Sequence, residues 1–171
     1  MTSQRDYVVR DARDGDRDAI RDLTLSAYAE YANVMSPDSW AGLSGAVEAA
    51  LASSDPMRRI VADDHGILIG SVLLYPPSTR AYGDLAGELS TPELRLLAVS
   101  HAARGRGVGR ALVDECIRRA RRDGATALGL HTSGSMAVAM QLYRRMGFER
   151  APELDFQPPG AELVEGYLLK L

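Results

Sequence analysis

Apolar side chains recur along this chain with two different periods, and each period predicts one kind of secondary structure. Runs that are apolar for most of their length, or that alternate with polar residues, predict strands. Seven such runs occur: "DYVVRDA", "RRIVADD", "GILIGSVLLYP", "ELRLLAV", "ALGLHTS", "FERAPELDF" and "EGYLLKL". The second and third of these flank Asp64-His65-Gly66, which favours a tight hairpin turn.

Apolar residues three or four positions apart predict amphipathic helices between these strands. Four segments have that spacing: "DGDRDAIRDLTLSAYAEYA", "SPDSWAGLSGAVEAALAS", "VGRALVDECIRRARRDG" and "AMQLYRRMGFER". In the second segment Ser36 or Asp38 can cap the helix and Pro37 suits its first position, while Gly124 can end the third. Residues 77–91 read as a polar loop.

The mixed order of strands and helices predicts an α/β or α+β domain whose twisted sheet is mostly antiparallel and flanked by helices. The chain has 171 residues, and no repeat, low-complexity stretch or linker divides it. We therefore expect a single domain over residues 1–171.

One short stretch, "HAARGRGVGRAL", has an unusual composition for its position. It lies between the strand "ELRLLAV" and the third helix, and it combines three glycines with three arginines: Gly105, Gly107, Gly109, Arg104, Arg106 and Arg110. A helix start presents unpaired N–H groups and partial positive charge, and glycine lets an anion approach the backbone closely. Because arginine adds forked donors for phosphate, the stretch predicts a phosphate cradle. The alternative is a tight turn with solvated arginines.

The spacing of these residues decides between phosphate-binding motifs. No Lys-Ser or Lys-Thr follows a G-x-x-x-x-G spacing, and the third glycine of G-x-G-x-x-G is absent from either register. The pattern [Q/R]-x-x-G-x-[G/A] fits, with Arg104, Gly107 and Gly109. With its flanking strand and helix, the next strand, and a helix that carries Tyr143 before "GF", residues 92–150 resemble the GNAT superfamily of acetyl-CoA-dependent N-acetyltransferases.

This resemblance implies a fold, a cosubstrate and a reaction. The strands "ELRLLAV" and "ALGLHTS" should run parallel and splay apart, and acetyl-CoA should enter between them. Its pantetheine arm should lie along residues 97–99 and its phosphates on residues 104–110. The implied contacts are Leu97, Ala98, Val99, Arg104, Gly105, Arg106, Gly107, Val108, Gly109 and Arg110. The acetyl group should pass to a primary amine by direct attack in a ternary complex. The alternative is a non-catalytic acyl-CoA-binding regulatory module on the same fold.

Amine acylation requires a deprotonated amine, a donor for the thioester oxygen and a proton for the departing thiolate. By resemblance, Glu93 is the candidate base, the backbone N–H of Val99 the oxyanion donor and Tyr143 the general acid. The alternatives are a solvent-facing strand-end acid for Glu93 and packing for Tyr143. Many relatives have an asparagine where this chain has Met136, so that its contact with pantetheine is absent or comes from Thr132 or Ser133.

Composition and charge exclude several classes of partner but do not identify the acceptor. A net charge of −3 argues against nucleic acid as a bulk partner. The single Cys116 allows no internal disulfide, the three histidines lack the spacing of a zinc site, and no apolar run is long enough to span a membrane. We therefore expect a cytoplasmic protein without a metal. The sequence leaves open whether it forms a homodimer.

The acceptor is expected to be a small-molecule or peptide amine. By resemblance its site involves the first two helices and the loop of residues 77–91. Acids and aromatics there suit a cationic amine: Tyr28, Glu30, Tyr31, Asp38, Trp40, Asp84 and Glu88. Lysine side chains, protein N-termini, polyamines, aminoglycosides and amino acids all stay open.

Overall fold

A sheet of seven strands in the order β1-β2-β3-β4-β5-β7-β6 forms the centre of the protein. A computed structural model describes residues 5–55 and 57–171. The strands are β1 (Val8–Asp11), β2 (Arg58–Asp64), β3 (Ile67–Tyr75), β4 (Glu93–Val99), β5 (Ala127–Thr132), β6 (Glu149–Arg150) and β7 (Glu165–Lys170). All neighbouring strands are antiparallel except β4 and β5, which are parallel. This arrangement confirms the predicted fold class.

Four helices flank the sheet: α1 (Arg17–Tyr28), α2 (Pro37–Ala52), α3 (Val108–Arg122) and α4 (Ala137–Arg145). Helix α2 begins as the sequence predicts, with Pro37 in its first turn and the Ser36 hydroxyl accepting a hydrogen bond from the Ser39 N–H at 3.2 Å. Helix α1 ends at Tyr28, earlier than its apolar pattern, because residues 29–33 tighten into a 3-10 turn. Within the described ranges no helix is long and apolar enough to cross a membrane.

The hydrophobic core lies on both faces of the sheet. Alternate residues of β3 point to opposite faces, so that Val72 and Leu74 pack toward α3 while Leu73 and Tyr75 pack toward α2. The apolar stripe of α3 is buried as its spacing predicts, in Val108, Leu112, Val113, Cys116, Ile117 and Ala120. Cys116 is therefore a core residue, and burial raises the pKa of its thiol to about 12.

The hairpin between β2 and β3 follows the predicted turn. His65 has φ 52° and Gly66 has φ 93°, as in the two-residue turns that match the twist of the flanking strands. The Gly66 N–H donates to Asp63 Oδ1 at 2.6 Å.

The predicted strand in "FERAPELDF" is corrected by the structure. Only β6 forms there, followed by a 3-10 turn at Pro152–Leu154 and a single bridge from Phe156 to Val164. Pro152 has no N–H to donate to a neighbouring strand, which limits the ladder at this position.

Strands β4 and β5 separate soon after they meet, as the resemblance implies. Their one register pair joins Glu93 and Gly129, so residues 97–99 of β4 have no partner strand in β5. Leu96 interrupts the regular alternation of β4 with φ 51°, a conformation that costs a non-glycine residue about 1–3 kcal/mol. As a result Arg95 and Leu96 line the same cavity, although neighbours in a regular strand point to opposite faces.

Candidate active site

A cavity of about 400 Å³ lies where β4 leaves β5 and α3 begins. It contains nine of the ten residues predicted to contact acetyl-CoA: Leu97, Ala98, Val99, Arg104, Gly105, Gly107, Val108, Gly109 and Arg110. The opposite wall comes from α1, the 3-10 turn that follows it, and α4, through residues such as Tyr28, Tyr31 and Leu142. The segment predicted from the motif is thus gathered around one opening, here termed the cradle cavity.

Two of the three cradle glycines have a backbone conformation that favours glycine. Gly105 and Gly107 have φ 77° and 76°, in the left-handed region that side chains other than glycine rarely adopt. Gly109 has an ordinary φ, and a Cβ there would make only van der Waals contact, 3.4 Å from Leu142 Cδ2, which agrees with a motif that accepts glycine or alanine at this position. The first helical hydrogen bond runs from the Ala111 N–H to the Gly107 carbonyl at 3.0 Å. The amides between these residues therefore precede the helical ladder and can bind an anion.

The three arginines of the motif lie in different places. Arg104 makes two hydrogen bonds to the Glu30 carboxylate, at 3.0 and 2.9 Å, on the rim of the cavity. Arg110 is exposed beside Asp114. Arg106 turns away, pairs with Asp64 at 2.9 Å, and does not line the cavity. An anion in the cradle could thus meet Arg104 and Arg110 without movement of the backbone.

Tyr143 on α4 is buried against Phe148, with 5.8 Å between the ring centroids. Burial raises the pKa of the Tyr143 phenol well above 10, and the nearby Tyr28 and Tyr31 hydroxyls raise that pKa further. Both of these neighbours line the cradle cavity, whereas Tyr143 itself lies behind its wall and lines neither cavity. The phenol is therefore neutral at physiological pH and keeps a proton that it can donate.

Glu93 is only 2% exposed and does not face solvent. One carboxylate oxygen accepts a hydrogen bond from the Tyr82 hydroxyl at 2.5 Å, and His131 Nδ1 lies 3.0 Å from the other. His131 Nε2 lies 2.8 Å from the Leu154 carbonyl. Since both imidazole nitrogens face acceptors, an imidazolium fits this site best.

The pKa of His131 reflects this environment. Burial by itself would lower that pKa, but the hydrogen bond and charge of Glu93, with the Leu154 carbonyl, raise it above its ordinary value. Glu93 is thus held in a buried ion pair, and its role as catalytic base stays a prediction.

A second, smaller cavity of about 170 Å³ lies on the α2 side of β4. We term it the acceptor cavity. Three rings form part of its wall: the centroid of Tyr82 lies 4.7 Å from that of His131 and 4.9 Å from that of Phe156. Arg95 and Glu162 add charged groups to the lining. The ion pair of Glu93 with His131 therefore lies directly behind this wall.

The lining of the acceptor cavity differs from the residues predicted for the acceptor site. Of the acids and aromatics predicted for the acceptor, only Tyr28 lines it, while Glu30 and Tyr31 line the cradle cavity. Four others line neither: Asp38, Trp40, Asp84 and Glu88. One signal was present, because the charged residues Glu93 and Arg95 stand in an otherwise apolar strand.

Met136 also lines the acceptor cavity rather than the cradle cavity. Its sulfur accepts a hydrogen bond of 3.5 Å from the Thr132 hydroxyl, and the Ser133 hydroxyl donates to Glu162 at 3.0 Å. Both hydroxyls that could replace an asparagine are therefore engaged within the protein. Across the described residues, no three histidine, cysteine, aspartate or glutamate side chains are grouped so as to hold a metal ion.

The profile of the Acetyltransferase (GNAT) family matches residues 18–148, which include α1, the cradle cavity and Tyr143. The chain belongs to this family. Membership confirms the resemblance seen in the sequence. A mycothiol acetyltransferase from Cellulomonas flavigena is 34% identical over 109 residues, which are 63% of this chain and 31% of that protein. The chain therefore spans about a third of the length of this curated relative.

Solved structures of the family share the fold over nearly the whole chain. A GCN5-related N-acetyltransferase from Kribbella flavida has a TM-score of 0.62 and 26% identity, with coverage of 96% of this chain and 98% of that one. A GNAT family acetyltransferase from Brucella melitensis, solved in complex with acetyl-CoA, has a TM-score of 0.61 and 22% identity, with coverage of 98% and 90%.

Proposed function

We propose that this protein transfers the acetyl group of acetyl-CoA to a primary amine by direct attack within a ternary complex. The observation that carries the proposal is the continuity of the cradle cavity. The unpaired β4 edge at residues 97–99 leads directly into the amides at the start of α3. An unpaired strand edge suits an extended amide-bearing chain, and a helix start suits phosphate. Acetyl-CoA has both parts, and it is bound in the related Brucella melitensis structure.

The reaction forms one bond and breaks another. Acetyl-CoA supplies an activated acetyl thioester; the amine nitrogen bonds to its carbonyl carbon, and the carbon–sulfur bond then breaks. The Val99 N–H stands on the unpaired edge, where it can donate to the carbonyl oxygen as that oxygen becomes anionic. Tyr143, kept neutral by burial, can return a proton to the thiolate. The amine loses its proton either to solvent or to the Glu93 carboxylate, the predicted base.

An assay of free thiol release from acetyl-CoA tests this function. The panel should contain a lysine peptide, a peptide with a free N-terminus, a polyamine, an aminoglycoside and a free amino acid. We expect thiol release that depends on at least one amine and that yields the N-acetyl product by mass spectrometry. The midpoint temperature of thermal unfolding should rise when acetyl-CoA is added and should rise much less with ATP. A ligand raises this temperature only if it binds the folded state.

The outcomes separate the two functions carried by the fold. Stabilisation by acetyl-CoA without release from any amine would make the protein an acyl-CoA-binding module. Equal stabilisation by ATP and acetyl-CoA would overturn the assignment of the cradle cavity itself.

A further inference from the structure

Among the described residues, Arg95 is a buried cation with no carboxylate partner. The side chain is 9% exposed, and its Nη1 donates to the Ala81 carbonyl at 2.6 Å. Its guanidinium lies over Tyr82, 4.1 Å from the ring centroid. The ion pairs within the described part of the chain do not include Arg95. A buried charge without a counter-charge is costly, and five N–H donors exceed the single strong acceptor found here.

No carboxylate forms an ion pair with Arg95 in the described ranges. Burial lowers the pKa of Arg95, but the nearby Tyr82 and Tyr75 phenols and the charge of Glu93 outweigh burial and raise it. Glu93 is itself engaged by His131, and the two form a pair of opposite charges.

Glu162 lines the same cavity as Arg95, and its two oxygens accept hydrogen bonds from the Ser133 and Ser135 hydroxyls at 3.0 and 3.1 Å. In the described ranges Glu162 has no cationic side chain paired with it. The cavity lining thus contains one cation and one anion that lack an ion-pair partner among the described residues.

The rest of the cavity is apolar and small. Its wall includes Leu43, Leu96 and Phe156. Its volume of about 170 Å³ is below the range of about 300–1,000 Å³ typical of pockets for drug-sized ligands, and a neighbouring cavity of about 390 Å³ also reaches Arg95, Tyr82 and Leu85. The matching ligand is compact, has an apolar body, and carries a negative and a positive group.

From this juxtaposition, and resting on the proposed function, we propose that the acceptor is a compact amino acid-like amine whose carboxylate is bound by Arg95. The planar guanidinium can hold a carboxylate through two parallel hydrogen bonds. Glu162 supplies the opposite charge, which favours the ammonium form on arrival. Arg95 is then the residue that selects among amines. Tyr143 and the cradle cavity act on acetyl-CoA in the same way whichever amine is bound.

Three acceptors of the same shape test the role of the carboxylate on the unaltered protein. L-Leucine carries the carboxylate, L-leucinamide replaces it with a neutral amide, and isoamylamine lacks it. We expect kcat/KM for leucine to exceed that for isoamylamine by about 100-fold, mostly through KM, since hydrogen bonds between charged groups are the stronger class. Leucinamide should fall between them. A peptide with N-terminal leucine serves as a fourth arm, and a higher kcat/KM for the peptide than for leucine would overturn the compact free acceptor.

The variant Arg95→Gln should collapse the ratio of leucine to isoamylamine from about 100 to near 1, and Arg95→Lys should retain part of it. Arg80→Gln is the matched control. Arg80 lies in the loop of residues 77–91, but its side chain is 58% exposed and, among the described residues, pairs with Asp84. A ratio that survives Arg95→Gln would make Arg95 a packing residue and overturn the proposal.

Failure of this proposal differs from failure of the proposed function. Turnover of several amines without preference for the carboxylate would overturn the Arg95 assignment and leave the acetyltransferase function standing. If no amine turns over, calorimetric measurement of L-leucine binding in the presence of coenzyme A still tests the carboxylate site at Arg95. Binding that Arg95→Gln abolishes supports the carboxylate site, and its absence in the unaltered protein overturns it.

Discussion

The two cavities, which follow one another along β4 and share Tyr28 in their linings, are built in opposite ways. The cradle cavity is formed largely by backbone groups from one continuous stretch, residues 97–110. The acceptor cavity is formed by side chains from α1, α2, the loop of residues 77–91, β4, β5 and the segment before β7. Backbone recognition requires a particular path of the chain, whereas side-chain recognition requires particular neighbours.

This difference explains how a family can keep one cosubstrate and change its acceptor. The cradle depends on left-handed glycines and on the amides of a helix start, which few substitutions can preserve. The acceptor cavity depends on charges such as Arg95 and Glu162, each of which a single substitution can remove. We therefore expect substitutions in the cradle cavity to affect every acceptor and substitutions in the acceptor cavity to affect only some.

The largest expected effect is on the cradle. In Gly107→Glu a side chain and a negative charge enter a left-handed position beside the predicted phosphate site. We expect the Kd for acetyl-CoA to rise by at least about 100-fold, which corresponds to about 2.7 kcal/mol. Isothermal titration calorimetry measures this change.

The matched control is Gly124→Glu, at the other end of α3. Gly124 has φ 82° and no atom near its missing Cβ, so it shares the backbone strain but not the cavity. Similar losses of acetyl-CoA affinity in both variants would show that strain, and not the phosphate site, is responsible.

Next in size is the effect of removing the Tyr143 hydroxyl. Tyr143→Phe keeps the ring against Phe148 but removes the proton donor. If Tyr143 is the general acid, kcat should fall by about 100-fold while the Kd for acetyl-CoA stays nearly constant. The loss should be smaller with an acyl donor whose leaving thiol is more acidic.

Tyr7→Phe is a suitable control for this change, because the Tyr7 hydroxyl is buried in the core, has no hydrogen-bond partner among the described residues and lines neither cavity. A kcat within about twofold of the unaltered enzyme, with chemistry shown to be rate-limiting, would make Tyr143 a packing residue.

The smallest effect concerns the charges behind the acceptor cavity. Because the pKa of His131 is raised in the folded protein, the folded state holds that proton more tightly than the unfolded state does. The resulting stabilisation is complete below the unfolded pKa of ~6.5 and disappears as the pH rises through the folded pKa. It amounts to about 1.4 kcal/mol for each unit by which the pKa is raised.

Urea unfolding at several pH values tests this expectation. The free energy of unfolding of the unaltered protein should exceed that of the double variant Glu93→Gln/His131→Gln by more at pH 6 than at pH 9. Tyr82 and Arg95, which face the pair, are present in both proteins and do not contribute to the difference in this range. A constant difference across the range would mean that His131 is neutral in the folded protein.

Several parts of the fold follow from local sequence. The apolar spacing of α3 predicts its buried face, and Ser36 with Pro37 predicts the start of α2. The motif from Arg104 to Gly109 predicts the turn that forms the cradle, because glycine adopts the left-handed conformation at Gly105 and Gly107 without steric cost. Each of these features depends on residues within a few positions of one another.

Other features were outside the reach of local patterns. The segment "FERAPELDF" alternates like a strand, yet it forms only two residues of ladder, because the chain turns into a 3-10 helix at Pro152. Leu96 gives no sign in the sequence of its left-handed conformation, which arises where β4 parts from β5.

The sequence by itself determined the family, the order of the elements and the residues of the cradle cavity, because periodicity and glycine geometry are local. Only the tertiary structure decided that Glu93 pairs with His131, 38 positions away, and that Arg95 lies without a carboxylate partner in the described ranges. Charge pairing and burial depend on neighbours brought together from distant segments. The acceptor cavity consists almost entirely of such neighbours, which is why its residues could not be identified from the chain alone.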